Sequence, residues 1–143
     1  MDATTYTSTM RASALMLGLT GIIAVHVMDL PGKLAEVPYM GLMYIGVILA
    51  AGFLIHRVIS GPTLHDYVAS AGLAAAVLVG YAVNRTVGMP GAVDDIGNWL
   101  EPLGLLSLVV EVWVVAIGVT AARSITRAPQ AVATAVRTRV PVS

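Results

Sequence analysis

Between residues 84 and 104 the chain gathers chemistry that is scarce elsewhere in it: Arg85, the adjacent pair Asp94 and Asp95, Asn98, Trp99 and Glu101, set among four glycines and two prolines. Two neighbouring carboxylates and a third nearby could hold a divalent cation. They lack the alternating ligand pattern of a calcium loop, however. The favoured use is structural: Asp95 or Asp94 pairs with Arg85 across the loop, or caps a short helix at residues 96–99. The segment is expected to be an ordered loop serving recognition or capping, with Arg85, Asp94, Asp95, Asn98, Trp99 and Glu101 as its working residues.

Glu111 is the second candidate. It lies about eight positions into an apolar run, roughly 12 Å from the end of a helix rising 1.5 Å per residue. A carboxyl at such depth is costly in lipid and usually faces a partner, a cavity or a proton path. Ser107, one turn earlier, shares its face. The expected role is an interhelical hydrogen bond, with ion or proton transfer and an intersubunit contact as the alternatives.

The histidines are His26, His56 and His65. A membrane haem needs two histidines on facing helices at similar depth. His56 and His65 sit at helix ends across a turn, and His26 has no histidine partner, so no haem is expected. His26, Met28 and Asp29 are weak metal candidates, because nitrogen, thioether and carboxylate do not form a coherent ligand set. With no cysteine in the chain, disulfides, thiolate metal sites and cysteine nucleophiles are excluded. No Gly-x-Ser-x-Gly, phosphate loop or His-Glu-x-x-His occurs. The expectation is a protein without catalytic residues and without a cofactor.

These residues need elements to position them, and the composition says which. Of 143 residues, 57% are hydrophobic and 11% charged, against roughly 25% charged in soluble domains. Lys plus Arg equals Asp plus Glu, with no basic patch, which argues against a nucleic-acid partner. Four apolar runs, about 12–28, 39–56, 67–84 and 102–122, approach the roughly 20 residues that a membrane helix needs. The fold class is therefore all-α: one polytopic integral membrane domain of four transmembrane helices. Residues 1–10 are expected to fray, Pro31 to end the first helix, Pro38 to open the second, Thr63 or Asp66 to cap the third, and Pro102 to open the fourth. Residues 123–143 form a basic tail, with Pro129 and Pro141 bounding a segment suited to a short surface helix.

Four crossings put both termini on one side. Arg11, Arg57, Arg123, Arg127, Arg137 and Arg139 then lie together, with Lys33 and Arg85 opposite. The positive-inside rule makes the termini cytoplasmic. The location expected is the plasma membrane, with the 84–104 loop outside. Tyr39, Tyr67, Tyr81 and Trp99 fall where an interfacial aromatic belt would put them.

Small residues predict the packing, since helices in lipid associate through close backbone approach. Gly72, Ala76 and Gly80 repeat at four-residue spacing, with Asn84 continuing that face. Gly104, Ser107, Glu111, Gly118 and Ala122 line one stripe of the fourth helix, and Gly18, Gly21 and Ala24 one of the first. These stripes are either seams of a bundle or docking faces for other subunits.

The loop also carries a resemblance. Thr86-Val87-Gly88-Met89-Pro90-Gly91, then Asp94-Asp95-Ile96-Gly97-Asn98-Trp99 and Glu101-Pro102-Leu103-Gly104, is similar to a segment of small four-helix membrane proteins of actinobacteria. The resemblance covers about twenty residues and the hydropathy pattern. It implies fold class and origin, and no catalytic role. The function expected is a non-catalytic accessory or assembly subunit of a larger respiratory or transport complex. Its partners would be lipid and other membrane subunits. The alternatives are a small homo-oligomeric transporter using Glu111, and a haem, quinone or metal binder.

Overall fold

The computed structural model describes the backbone of residues 3–139 and the side chains of residues 5–128. Among the described residues the chain is all-helical: α1 (Ala3–Glu36), α2 (Pro38–Ile59), α3 (Leu64–Thr86), a 3-10 turn (Val93–Asp95) and α4 (Pro102–Arg139). All four α-helices are long and apolar enough to cross a membrane. They pack as an antiparallel bundle in which each helix neighbours the next and α4 returns to α1.

Several boundaries differ from expectation. α1 begins at Ala3 and runs through Pro31 to Glu36. Proline removes one intrahelical bond and costs about 3 kcal/mol in a helix interior. Here the turn beyond it is held in place by tertiary contacts. Lys33 pairs with Asp95 and Leu34 packs on Gly41, and just before the proline Tyr44 hydroxyl donates to Asp29 at 3.1 Å. α4 does not stop near residue 122 but keeps helical backbone to Arg139, so no separate surface helix follows Pro129. Ala and Arg, abundant there, are strong helix formers. The side chains of Arg137 and Arg139, and residues 140–143 with Pro141, lie outside the described residues.

The core is one apolar seam. Leu15, Leu19 and Ile22 of α1 meet Ala51, Leu54 and Val58 of α2, Tyr67 and Ala74 of α3, and Val114 and Ala121 of α4. Tyr67 is thus a core residue and not part of an aromatic belt. A second cluster of Val37, Met40 and Ala92, with Met89 against it, fastens the long loop onto the α1–α2 corner. At the opposite end, the Asp66 carboxylate accepts from the Thr63 amide (2.8 Å) and hydroxyl (2.7 Å) and from Arg57 (3.1 Å), closing the α2–α3 turn.

Glycines mark which seams are tight. A Cβ on Gly18 or Gly21 would strike Val114 or Val110 of α4, at 2.5 and 2.9 Å. One on Gly118 would come within 2.6 Å of the Tyr67 carbonyl oxygen, and one on Gly104 within 2.8 Å of Tyr81. Gly18 and Gly21 of α1 and Gly104 and Gly118 of α4 therefore mark seams within the chain, whereas Ala24 of the α1 stripe is exposed. The α3 stripe is not: Gly72 and Gly80 have no atom within 4 Å of an added Cβ, and Ala76 is exposed. That face looks onto an open groove, because α3 packs on α4 through Tyr67 and Ala71 instead. Gly118→Ala is therefore expected to lower stability by about 1–3 kcal/mol through overpacking. Gly72→Ala should leave it unchanged or slightly raised. Denaturant titration of both variants in detergent checks the contrast.

Candidate functional site

The loop closes on itself through Arg85. Its guanidinium, 4% exposed, donates from Nη1 to Asp95 Oδ1 at 2.6 Å and from Nη2 to Glu101. The Asp95 Oδ2 accepts from Asn84 Nδ2 at 2.9 Å and from Lys33 Nζ at 3.3 Å. One carboxylate thus ties α1, α3 and the loop together. The Gly97 amide donates to the Arg85 carbonyl at 2.9 Å, and Gly88, Gly91 and Gly97 all take positive φ, which only glycine adopts without strain. Tyr39 hydroxyl holds the Pro90 carbonyl at 2.8 Å. Tyr81 lies under Arg85 (5.1 Å to the ring centre), meets Trp99 edge-on at 5.9 Å and donates to its carbonyl.

The ion pair between Asp95 and Arg85 was legible in the residue types. The short helix expected at residues 96–99 is absent; the single helical turn is Val93–Asp95. Asp94 and Asn98 are exposed and stand outside the polar cluster. Burial works against the Asp95 carboxylate, but hydrogen bonds from Asn84 and Arg85 and the charges of Lys33 and Arg85 outweigh it, holding its pKa below the ordinary aspartate range. A depressed folded-state pKa means that the unfolded chain binds the proton first. The stabilisation is therefore complete above about pH 4 and is lost as pH falls through the folded pKa. Asp95→Asn should remove this acid sensitivity, read as the slope of the melting temperature between pH 5 and 3.

Beneath the loop lies a cavity of about 380 Å³. Val25, His26, Asp29 and Lys33 of α1 form its back. Met43, Tyr44, Gly46 and Val47 of α2 face Leu73, Ala76, Val77 and Gly80 of α3, and Asn84, Arg85, Glu101 and Ser107 lie toward the loop and α4. The exposed Met43, Gly46 and Ala76 place its mouth sideways, between α2 and α3. These two helices touch least among the neighbouring pairs, since the glycines on the facing surfaces supply no side chains to fill the gap. The walls are mostly apolar and the loop-side end is polar.

Two buried polar atoms at this polar end have no partner: Arg85 Nε and Asn84 Oδ1. Buried polar groups are nearly always hydrogen-bonded, and an orphan costs about 1–3 kcal/mol. Arg85 and Asn84 are 4% and 6% exposed, and both line the cavity. The two atoms themselves are sealed from the cavity, so it is other atoms of Asn84 and Arg85 that form its wall.

Residue spacing alone could not reveal the convergence of α1 on this site. His26 donates from Nδ1 to the Ile22 carbonyl at 2.8 Å and meets Tyr44 edge-on at 4.7 Å, and Asp29 accepts from the same tyrosine. Met28 is 66% exposed, so His26, Met28 and Asp29 do not converge. Among the described residues no three acids or histidines gather as a metal site would require. His56 and His65 are both exposed near the opposite end.

Glu111 is fully buried and accepts from the Ser107 hydroxyl through Oε1, while Oε2 has no partner. Ser107 lines the cavity; Glu111, a turn further along α4, does not. The Ser107 hydrogen bond lies within α4 and not between helices. Ser107→Ala would strip Glu111 of its hydrogen bond and is expected to lower stability by about 1–3 kcal/mol, measured by denaturant titration in detergent.

No family model, curated protein or solved structure matches this chain.

Proposed function

We propose that this chain is a non-catalytic, four-span plasma-membrane protein that holds an amphipathic membrane molecule in the cleft between α2 and α3. The observation carrying it is the sideways cavity, apolar along its walls and polar at one end, where Asn84, Arg85 and Glu101 gather. A cavity of 300–1,000 Å³ with few convergent polar groups is the usual form of a small-molecule site. The lateral mouth suits a molecule that arrives from lipid with its tail left in the bilayer. The bundle's surface supports insertion: Leu17, Leu42, Leu49, Phe53, Val79, Val109 and Trp113 are all exposed.

The orientation proposed has cytoplasmic termini and an outer loop. It rests on the count of cations: Lys33 and Arg85 at the loop end against Arg11, Arg57, Arg123 and Arg127 at the other. Membership of the actinobacterial group rests on the loop residues alone.

Native mass measurement after gentle detergent extraction tests the proposal. A bound amphiphile, lost in Gly80→Leu, is the expected result; an adduct-free wild type overturns it. An accessory-subunit role is a second reading, favoured by Gly46 on the groove and the exposed Gly72 of α3, where open space leaves room for a foreign helix. Larger unrelated partners in the same measurement would support it. A Glu111-dependent transporter would instead lose ion or proton flux in Glu111→Gln liposomes.

A further inference from the structure

We infer that the molecule taken by this cleft is a cationic amphiphile, an organic ammonium on an apolar chain, an inference that rests on the binding role proposed above. The charges at the loop end do not balance. Arg85 is held by Asp95 and Glu101, and Lys33 by Asp95 and Glu36. Both cations are buried, so an anionic head would have to displace a carboxylate from one of them, which is costly in such a setting. Asp29 is the carboxylate left over. It lines the cleft, and among the described residues no Lys or Arg pairs with it.

Asp29 stands one turn before Lys33 on α1, about 6 Å further from the loop at 1.5 Å per residue. Its Oδ2 accepts from the Tyr44 hydroxyl at 3.1 Å. Its Oδ1 has no hydrogen bond and is not one of the sealed polar atoms, which are Asn84 Oδ1, Arg85 Nε and Glu111 Oε2; a water-sized molecule can therefore reach it. Tyr44 lines the cleft too, and His26 stands edge-on to its ring at 4.7 Å, which holds the pair of Tyr44 and Asp29 in place. An ammonium is drawn to a carboxylate by charge and to a tyrosine ring by the ring's quadrupole. A neutral hydroxyl could donate to Oδ1 but would leave the Asp29 charge unmatched.

The experiment uses the full chain, delipidated and held in micelles of an uncharged maltoside detergent. Three probes with one oleyl chain and different heads are titrated and read by native mass measurement: oleyltrimethylammonium, oleyl alcohol and oleyl sulfate. Oleyltrimethylammonium should bind at least about tenfold more tightly than the other two, as a partly desolvated charge pair allows. Asp29→Asn, which keeps an acceptor for Tyr44, should remove that advantage and leave oleyl alcohol binding as in wild type. Should Asp29→Asn not fold, the order of the three probes on the wild-type chain decides alone. Equal or tighter binding of the alcohol or the sulfate, or cation binding unchanged in Asp29→Asn, overturns the cationic assignment while leaving the cleft as an amphiphile site. If no probe binds, or binding persists unchanged in Gly80→Leu, the binding role itself falls.

Discussion

Arg85→Met is expected to destabilise the protein by about 3 kcal/mol, the largest effect of any single substitution outside the apolar core. Breaking a buried ion pair from one side typically costs about 3–5 kcal/mol, because a charge is left buried and unpaired. Arg85 joins Asp95 and Glu101, whose side chains are 18% and 31% exposed, so water relieves part of the loss and the lower end applies. Arg85→Lys should recover less than half, since one ammonium cannot reproduce the two-armed fork. Adding Glu101→Gln to Arg85→Met should restore part of the stability, because Asp95 keeps Lys33 as its partner and Glu101 is the carboxylate left stranded. Arg57→Met provides the contrast. Its side chain is 46% exposed beside Asp66, and a pair of that kind contributes about 1 kcal/mol or less. Denaturant titration in a single detergent, followed by circular dichroism, ranks all four variants.

Gly80→Leu should abolish amphiphile binding while the protein stays as stable as wild type or becomes slightly more so. A Cβ at Gly80 meets no atom within 4 Å, so the backbone there has room to carry a side chain on the cleft wall. Replacing glycine within a helix favours the folded state by roughly 0.5–1 kcal/mol. Gly104→Leu is the opposite case, because its Cβ would lie 2.8 Å from Tyr81. It should unfold more easily whether or not ligand is present. Loss of ligand together with unchanged or raised stability distinguishes an emptied site from a damaged bundle.

The helices were legible because lipid-scale apolar runs are long and polar breaks are few. Their ends were less so. Pro31 reads as a stop, yet Lys33 and Leu34 have tertiary partners that carry the helix past it. Local rules do not see such contacts. Asp95 and Arg85 were readable as a pair from charge alone. Which helix face would be left open was not: Gly72, Ala76 and Gly80 have the spacing of a seam, and Tyr67 with Ala71 wins the α4 contact instead. Asn84 reads as the end of that stripe, although its amide is bound to Asp95 at the polar end of the cavity. No linear signal marks such a cavity, since it depends on what the other helices fail to bring. The sequence singled out Glu111 for its depth, and the structure sets it beside the cleft but not in it.

Photolabelling tests the cleft most directly. An oleyltrimethylammonium analogue with a diazirine in its oleyl chain is incorporated into nanodiscs with the full chain, irradiated, and the labelled peptides are mapped by mass. Label should concentrate on α2 around Met43 and Val47 and on α3 around Leu73 and Val77, and should be competed by unlabelled oleyltrimethylammonium and lost in Gly80→Leu. Uncompeted label spread over the outer faces of α1 and α4, at Leu17 and Val109, would contradict a lipid site between α2 and α3.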